Sequence, residues 1–208
     1  MRPFYFSGLP FKDNYDHANS QWVDFLQTRN ATRFAAVNLI RAVATMSKEN
    51  YVSECKCGTV RYEATARPAC NVVCYCDDCQ SAGRVLVEES GCENPLDPDG
   101  GTSFSTFLEK DWKCVAGAEQ VESHKLRENS PTTRFIASCC QTPIYLKYGP
   151  GFWVSTFRAP FTNELPKLNW RIKTSHRTSS LPFPDDIARF KGFPLRLYAA
   201  LYRTKWRR

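Results

Sequence analysis

From residue 59 to residue 157 the apolar positions come in short runs separated by turn residues. Thr59-Val60-Arg61-Tyr62-Glu63-Ala64 alternates in polarity and reads as a half-buried strand. Residues 70–73, 84–88, 103–108, 112–115, 121–126, 134–137 and 144–147 are predicted strands by the same pattern. Asn94-Pro95, Asp97-Pro98 and Asp99-Gly100-Gly101 make 91–102 a loop, and Gly117-Ala118-Glu119 marks a turn. Short strands with little helix between them predict a mainly β, antiparallel domain.

The ends of the chain read differently. Pro3, Pro10, Asn14 and Asn19 break any period over 1–30, which is predicted to be loop. Phe34, Val37, Ile40 and Val43 give 31–46 a helical period, and Met46 is a second candidate start. Two helical pieces are predicted near the C-terminus, over 185–190 and 195–202. The expected organisation is an N-terminal extension over 1–46, a β domain over 47–160 and a basic, partly helical extension over 161–208.

Charge sharpens that division. The net charge is +7. Residues 47–166 carry 12 Lys/Arg and 16 Asp/Glu, or −4, whereas 167–208 carry 11 and 2, or +9. The basicity belongs to the C-terminal segment. A solvated helix face is a stronger reading of it than nucleic-acid binding, because the cations are spread over some forty positions. Arg29, Arg33 and Arg41 allow a transit peptide, but Asp13, Asp16 and Asp24 count against one. No apolar run is long enough to span a membrane.

The chemistry lies in ten cysteines. Cys74-Tyr75-Cys76-Asp77-Asp78-Cys79 brings three thiols within six residues, and Cys55-Lys56-Cys57-Gly58 and Cys139-Cys140 add two pairs. A disulfide framework is the weaker reading, since Cys-x-Cys is too close for an easy bridge and no secretory signal opens the chain. Thiolates at such spacings suit a metal in a reducing compartment, such as the cytoplasm. Three local ligands leave one tetrahedral corner open, as catalytic zinc sites do. Asp77 and Asp78 either assist proton transfer there or simply cap a turn. His124 and His176 are candidate fourth ligands. Cys70, Cys92 and Cys114 fit no motif and read as small core or loop residues.

The order of these motifs, with Arg134 through Pro143 enclosing the late pair, resembles the glutathione-dependent formaldehyde-activating enzyme and centromere protein V family over roughly residues 50–157. The resemblance implies an Mss4-like, β-tent zinc fold. One zinc would be structural, held by the first pair and the late turn. The other would be reactive, held by Cys74, Cys76 and Cys79. It also implies carbon–sulfur lyase chemistry joining a glutathione-type thiol to a small aldehyde such as formaldehyde. The chain departs from the family at the late turn, where Ala137 replaces a cysteine and Gln141 a glycine. Cys55, Cys57 and Cys140 match, and Cys139 is a substitute whose neighbour on an extended chain would point the other way. Weak metal binding or none is therefore expected there, and between one and two zinc ions per chain. The alternative function is a zinc-stabilised binding module whose basic tail contacts nucleic acid, an acidic partner or a membrane surface.

Overall fold

The computed structural model describes residues 50–207, without the side chains of residues 89 and 90. The predicted loop over 1–30 and helix over 31–46 lie outside the described residues. The described chain is mainly β, with two sheets and two α-helices.

A three-stranded antiparallel sheet is ordered β1 (Tyr51–Glu54), β2 (Arg61–Ala64), β5 (Trp112–Ala116). The larger sheet has eight strands. Its first part runs β11 (Ala188–Arg189), β10 (Trp170–Ile172), β3 (Cys70–Cys74), β4 (Thr102–Leu108). It continues through β9 (Trp153–Phe157), β8 (Thr142–Tyr148), β7 (Thr132–Ala137) and β6 (Val121–His124). Pairing is antiparallel except that β10 runs parallel to both β3 and β11. The segment after residue 160 thus continues the sheet through β10, and belongs to the same compact unit.

Side-chain alternation gives the large sheet two differently covered faces. Phe107 and Val154 point into a core shared with the small sheet, where Tyr62 stacks on Trp112 with centroids 5.0 Å apart. Phe104 and Phe157 point the other way, with Cys70, Val72 and Cys74 of β3. That second face is covered by α2 (Leu195–Trp206), whose Leu201 is buried in it. Every residue of β3 is buried, as expected of a central strand covered on both sides.

Two sequence expectations are corrected. Residues 84–88 are not a strand but the second half of α1 (Asp77–Ser90). Val85, Leu86 and Val87 form a short apolar run, in which periodicity alone does not separate helix from strand. The helical signals lie outside that run. Asp77 and Asp78 occupy the first turn, Cys79, Ala82 and Leu86 form one buried stripe, and Gly91 ends the helix at φ 63°. Residues 185–190 are not helical either. Asp186 accepts from the guanidinium of buried Arg171 at 3.0 Å, and the Phe190 amide donates to the Arg171 carbonyl at 2.8 Å. These bonds draw the segment out as an edge strand. The helix predicted over 195–202 is present and continues to Trp206.

Gly117 makes the predicted turn before β6, at φ 70°. A Cβ there would collide with the Thr59 carbonyl, a backbone atom that cannot swing away. Gly117→Ala is expected to lower stability by about 1–3 kcal/mol, from left-handed strain and the clash together. A denaturant midpoint equal to that of the parent protein would contradict this.

Candidate metal centres

Four sulfurs meet where the β1–β2 turn faces the β7–β8 turn. Cys55, Cys57, Cys139 and Cys140 lie within 4.8 Å of one another. The sulfur separations are 3.6 Å for Cys55–Cys57, 3.8 Å for Cys55–Cys139, 3.3 Å for Cys57–Cys139 and 3.9 Å for Cys139–Cys140. Four thiolates about 2.3 Å from a tetrahedral zinc would stand about 3.8 Å apart, so the spacing fits such an ion. Cys139, the substitute weighed for the missing fourth ligand, brings its sulfur into the group. Cys139 and Cys140 sit in a turn, where the alternation of an extended strand does not apply. Gln141 takes the left-handed conformation, at φ 57°, and its side-chain amide donates to the Ser138 carbonyl at 3.0 Å. Ala137 is fully buried in the aromatic core.

The thiols at this centre are already differentiated. Hydrogen bonds with Thr59, and then Cys139, pull Cys57 down to about 6. Desolvation is the first cause that pushes Cys55 up. The Val60 amide donates to the Cys55 sulfur at 3.1 Å, as amides do to metal-bound thiolates.

The second cluster is Cys74, Cys76 and Cys79, again within 4.8 Å of one another. β3 ends on Cys74, Cys76 is the residue before α1, and Cys79 lies in the first helical turn. The amides of Cys79 and Gln80 donate to the Cys76 carbonyl at 3.0 and 3.1 Å, which fixes the turn. The helix N-terminus favours negative charge at this end. Hydrogen bonds from Cys74 and Cys79 pull Cys76 down to about 2, while Cys74 is pushed up to about 12 and Cys79 well above its ordinary value. Three adjacent thiols cannot all ionise without a cation among them.

Arg134 stands beside this trio. It is 2% exposed, and its Nη2 donates to the Asp78 carbonyl at 3.1 Å. Its Nη1 is buried without a hydrogen-bond partner. Desolvation pulls its guanidinium down, opposed by the charges of Cys79, Asp78 and Cys76. A dication with three thiolates carries one net negative charge, which one guanidinium balances. The donor set and the orphaned N–H therefore both fit a bound metal ion.

No fourth ligand joins this cluster among the described residues. The trio instead forms one wall of a cavity of about 520 Å³. The other walls are Phe104, Leu146 and Trp153 from the sheet and Leu197 and Leu201 from α2, with Lys173 and His176 at the polar side. His176 Nδ1 lies 2.9 Å from Asp77, and Arg127 pairs with Asp78 at 2.9 Å. Both aspartates thus have side-chain partners at the helix start. His124 lies in β6 beside Glu122, at 3.9 Å, and does not line the cavity. Cys92 is buried, Cys114 is half-buried, and Cys70 is buried on the cavity side of β3.

The sequence reading places Arg134 in a strand and in the late motif, and His176 among the candidate fourth ligands. Neither sits near the trio in sequence; β7 brings Arg134 there and the short 3-10 turn Thr174–His176 that follows β10 brings His176, through sheet pairing that local patterns do not encode. No protein-family model matches the chain, and no curated protein matches it. A crystal structure of a Rhodobacter sphaeroides protein aligns over 55% of this chain and 91% of its own, at 16% identity and a TM-score of 0.38. Among the described residues no helix is long and apolar enough to cross a membrane.

Proposed function

We propose that the chain is a zinc protein of the Mss4-like, β-tent type, related to the glutathione-dependent formaldehyde-activating enzymes and centromere protein V, and that it acts in carbon–sulfur chemistry at Cys74, Cys76 and Cys79. The observation that carries this is the contrast between the two clusters. Four thiols close one site, whereas three thiols face a cavity with a charge-balancing arginine behind them. A closed set is what a structural ion needs, and an open set is what a reactive one needs.

Zinc, when bound, lowers the pKa of an incoming thiol and leaves it as the nucleophile. The rest falls to the protein. The apolar walls of Phe104, Trp153 and Leu197 exclude water from the reacting groups. In the addition, the S–C bond forms, the carbonyl π bond breaks and the thiol's proton ends on the aldehyde oxygen. His176, oriented by Asp77, is placed at the cavity to carry that proton. Glutathione is the thiol class favoured by the family resemblance. The 520 Å³ cavity falls in the usual range for small-molecule sites.

Cobalt substitution tests this reading. Adding glutathione to the fully cobalt-loaded protein is expected to change the thiolate charge-transfer and ligand-field bands, and Cys76→Ser is expected to abolish the response. An unchanged spectrum at saturating thiol would sink the proposal. The binding-module alternative has its own observation in the exposed face of α2.

A further inference from the structure

The buried side of α2 fastens it to the domain, and on its outer side Tyr202 also leans on the Phe152 ring at 5.2 Å and Tyr198 borders the cavity. Leu201 is 2% exposed, and Leu197 and Ala200 pack on the same core. On the other side Leu195, Tyr198, Tyr202 and Trp206 are 86, 41, 50 and 81% exposed. Spacings of three, four and four residues align these side chains in a single ridge along the helix. Single exposed apolar residues are ordinary on a protein surface, but an aligned row of four marks an interaction surface.

The cations are arranged around that ridge. At about 100° per residue, Arg196, Arg203 and Arg207 fall along one flank and Lys205 along the other. The helix contains no acidic residue. Arg196 lies over the Phe190 ring at 4.8 Å and Lys205 over the Phe152 ring at 4.3 Å, so both stems are steered by neighbouring aromatics.

We infer that this ridge docks on an anionic lipid bilayer. An apolar row with Tyr and Trp, flanked by Lys and Arg, is the pattern of a helix that lies in the membrane interface. The aromatic rings suit the boundary between headgroups and acyl chains, and the flanking cations reach lipid phosphates from long apolar stems. The tether through Leu201 narrows the choice of partner. A groove takes the apolar face of a helix, and α2 already spends Leu197, Ala200 and Leu201 on its own domain, so it offers only its outer ridge, which a flat surface can contact. Nucleic acid fits less well, because single strands run in basic grooves floored by aromatics, and this ridge is convex with an apolar centre.

The test is sedimentation of the full-length chain with vesicles of phosphatidylcholine alone and of phosphatidylcholine with phosphatidylserine. Binding is expected to the serine-containing vesicles and to weaken with salt. The double variant Leu195→Ser with Trp206→Ser is expected to lower the partition coefficient at least about tenfold, as is Arg196→Glu with Arg203→Glu. Melting temperatures should hold, because all four positions face outward. Brominated lipid should quench the parent protein more than Trp206→Phe. Equal binding to both vesicle types would overturn the inference, as would undiminished binding by the ridge variants. So would retention on duplex DNA or polyglutamate, lost in the ridge variants, by a protein that ignores the vesicles.

Discussion

Full-length protein saturated with zinc and then desalted is expected to retain two ions per chain, and Cys139→Ser one. The four sulfurs of the first centre come from two turns far apart in sequence, 55–57 and 139–140. The first turn joins β1 to β2 in the small sheet, and the second joins β7 to β8 in the large one. An ion there ties the two sheets together at one end of their shared aromatic core. Structural zinc in small domains contributes about 10–16 kcal/mol of apparent binding energy, much of it as folding energy. Here the core of Phe107, Trp112 and Val154 remains without the metal, so the domain should weaken rather than unfold outright. Loss of the ion is expected to cost about 4 kcal/mol or more, which is about 8–16 °C in melting temperature. Cys114→Ser is the control, since that thiol donates to the Ala116 carbonyl and belongs to neither cluster. It should keep both ions. A parent protein that holds a single ion, with Cys139→Ser unchanged in metal and melting, would show that the four sulfurs do not act together.

Strands β2 to β8 are legible because each has an apolar pattern bounded by turn residues, whereas β1 and β9 are not among the strands that pattern predicts. The trio was legible because its ligands are local. The closure of the first centre was not, since it depends on how two adjacent cysteines emerge from a turn held by Gln141 in a left-handed conformation. No part of α1 is predicted as helix, and its second half reads as strand because Val85 and Val87 carry strand propensity. Its decisive contacts, Ala82 and Leu86 with the core, are tertiary. β10 was missed because three residues next to a central strand need no pattern of their own. The cavity followed from those two omissions: it exists where α1 begins, β3 ends and α2 crosses the sheet.

Arg134→Gln is expected to weaken metal binding at Cys74, Cys76 and Cys79 by about 10–100-fold, the usual cost of removing an outer-shell partner. Binding at the four-cysteine centre should be untouched. The argument is electrostatic. Arg134 is buried, so solvent screens its charge poorly, and the negative groups beside it are those of the trio and of Asp78. Asp78 already has Arg127 as a partner, which leaves the trio as the charge that Arg134 balances. Without the guanidinium, three thiols must lose protons to a metal with nothing behind them to stabilise the surplus negative charge. Their protons are then held more tightly, so the pH midpoint of metal loading should move up. Arg134→Lys keeps a charge but not the planar fork that reaches the Asp78 carbonyl, and should fall between the two. Competition with a chromophoric chelator across a pH series measures both quantities. A purely structural Arg134 would lower the melting temperature in both variants and leave the pH midpoint of loading where it was. That outcome would remove Arg134 from the metal site.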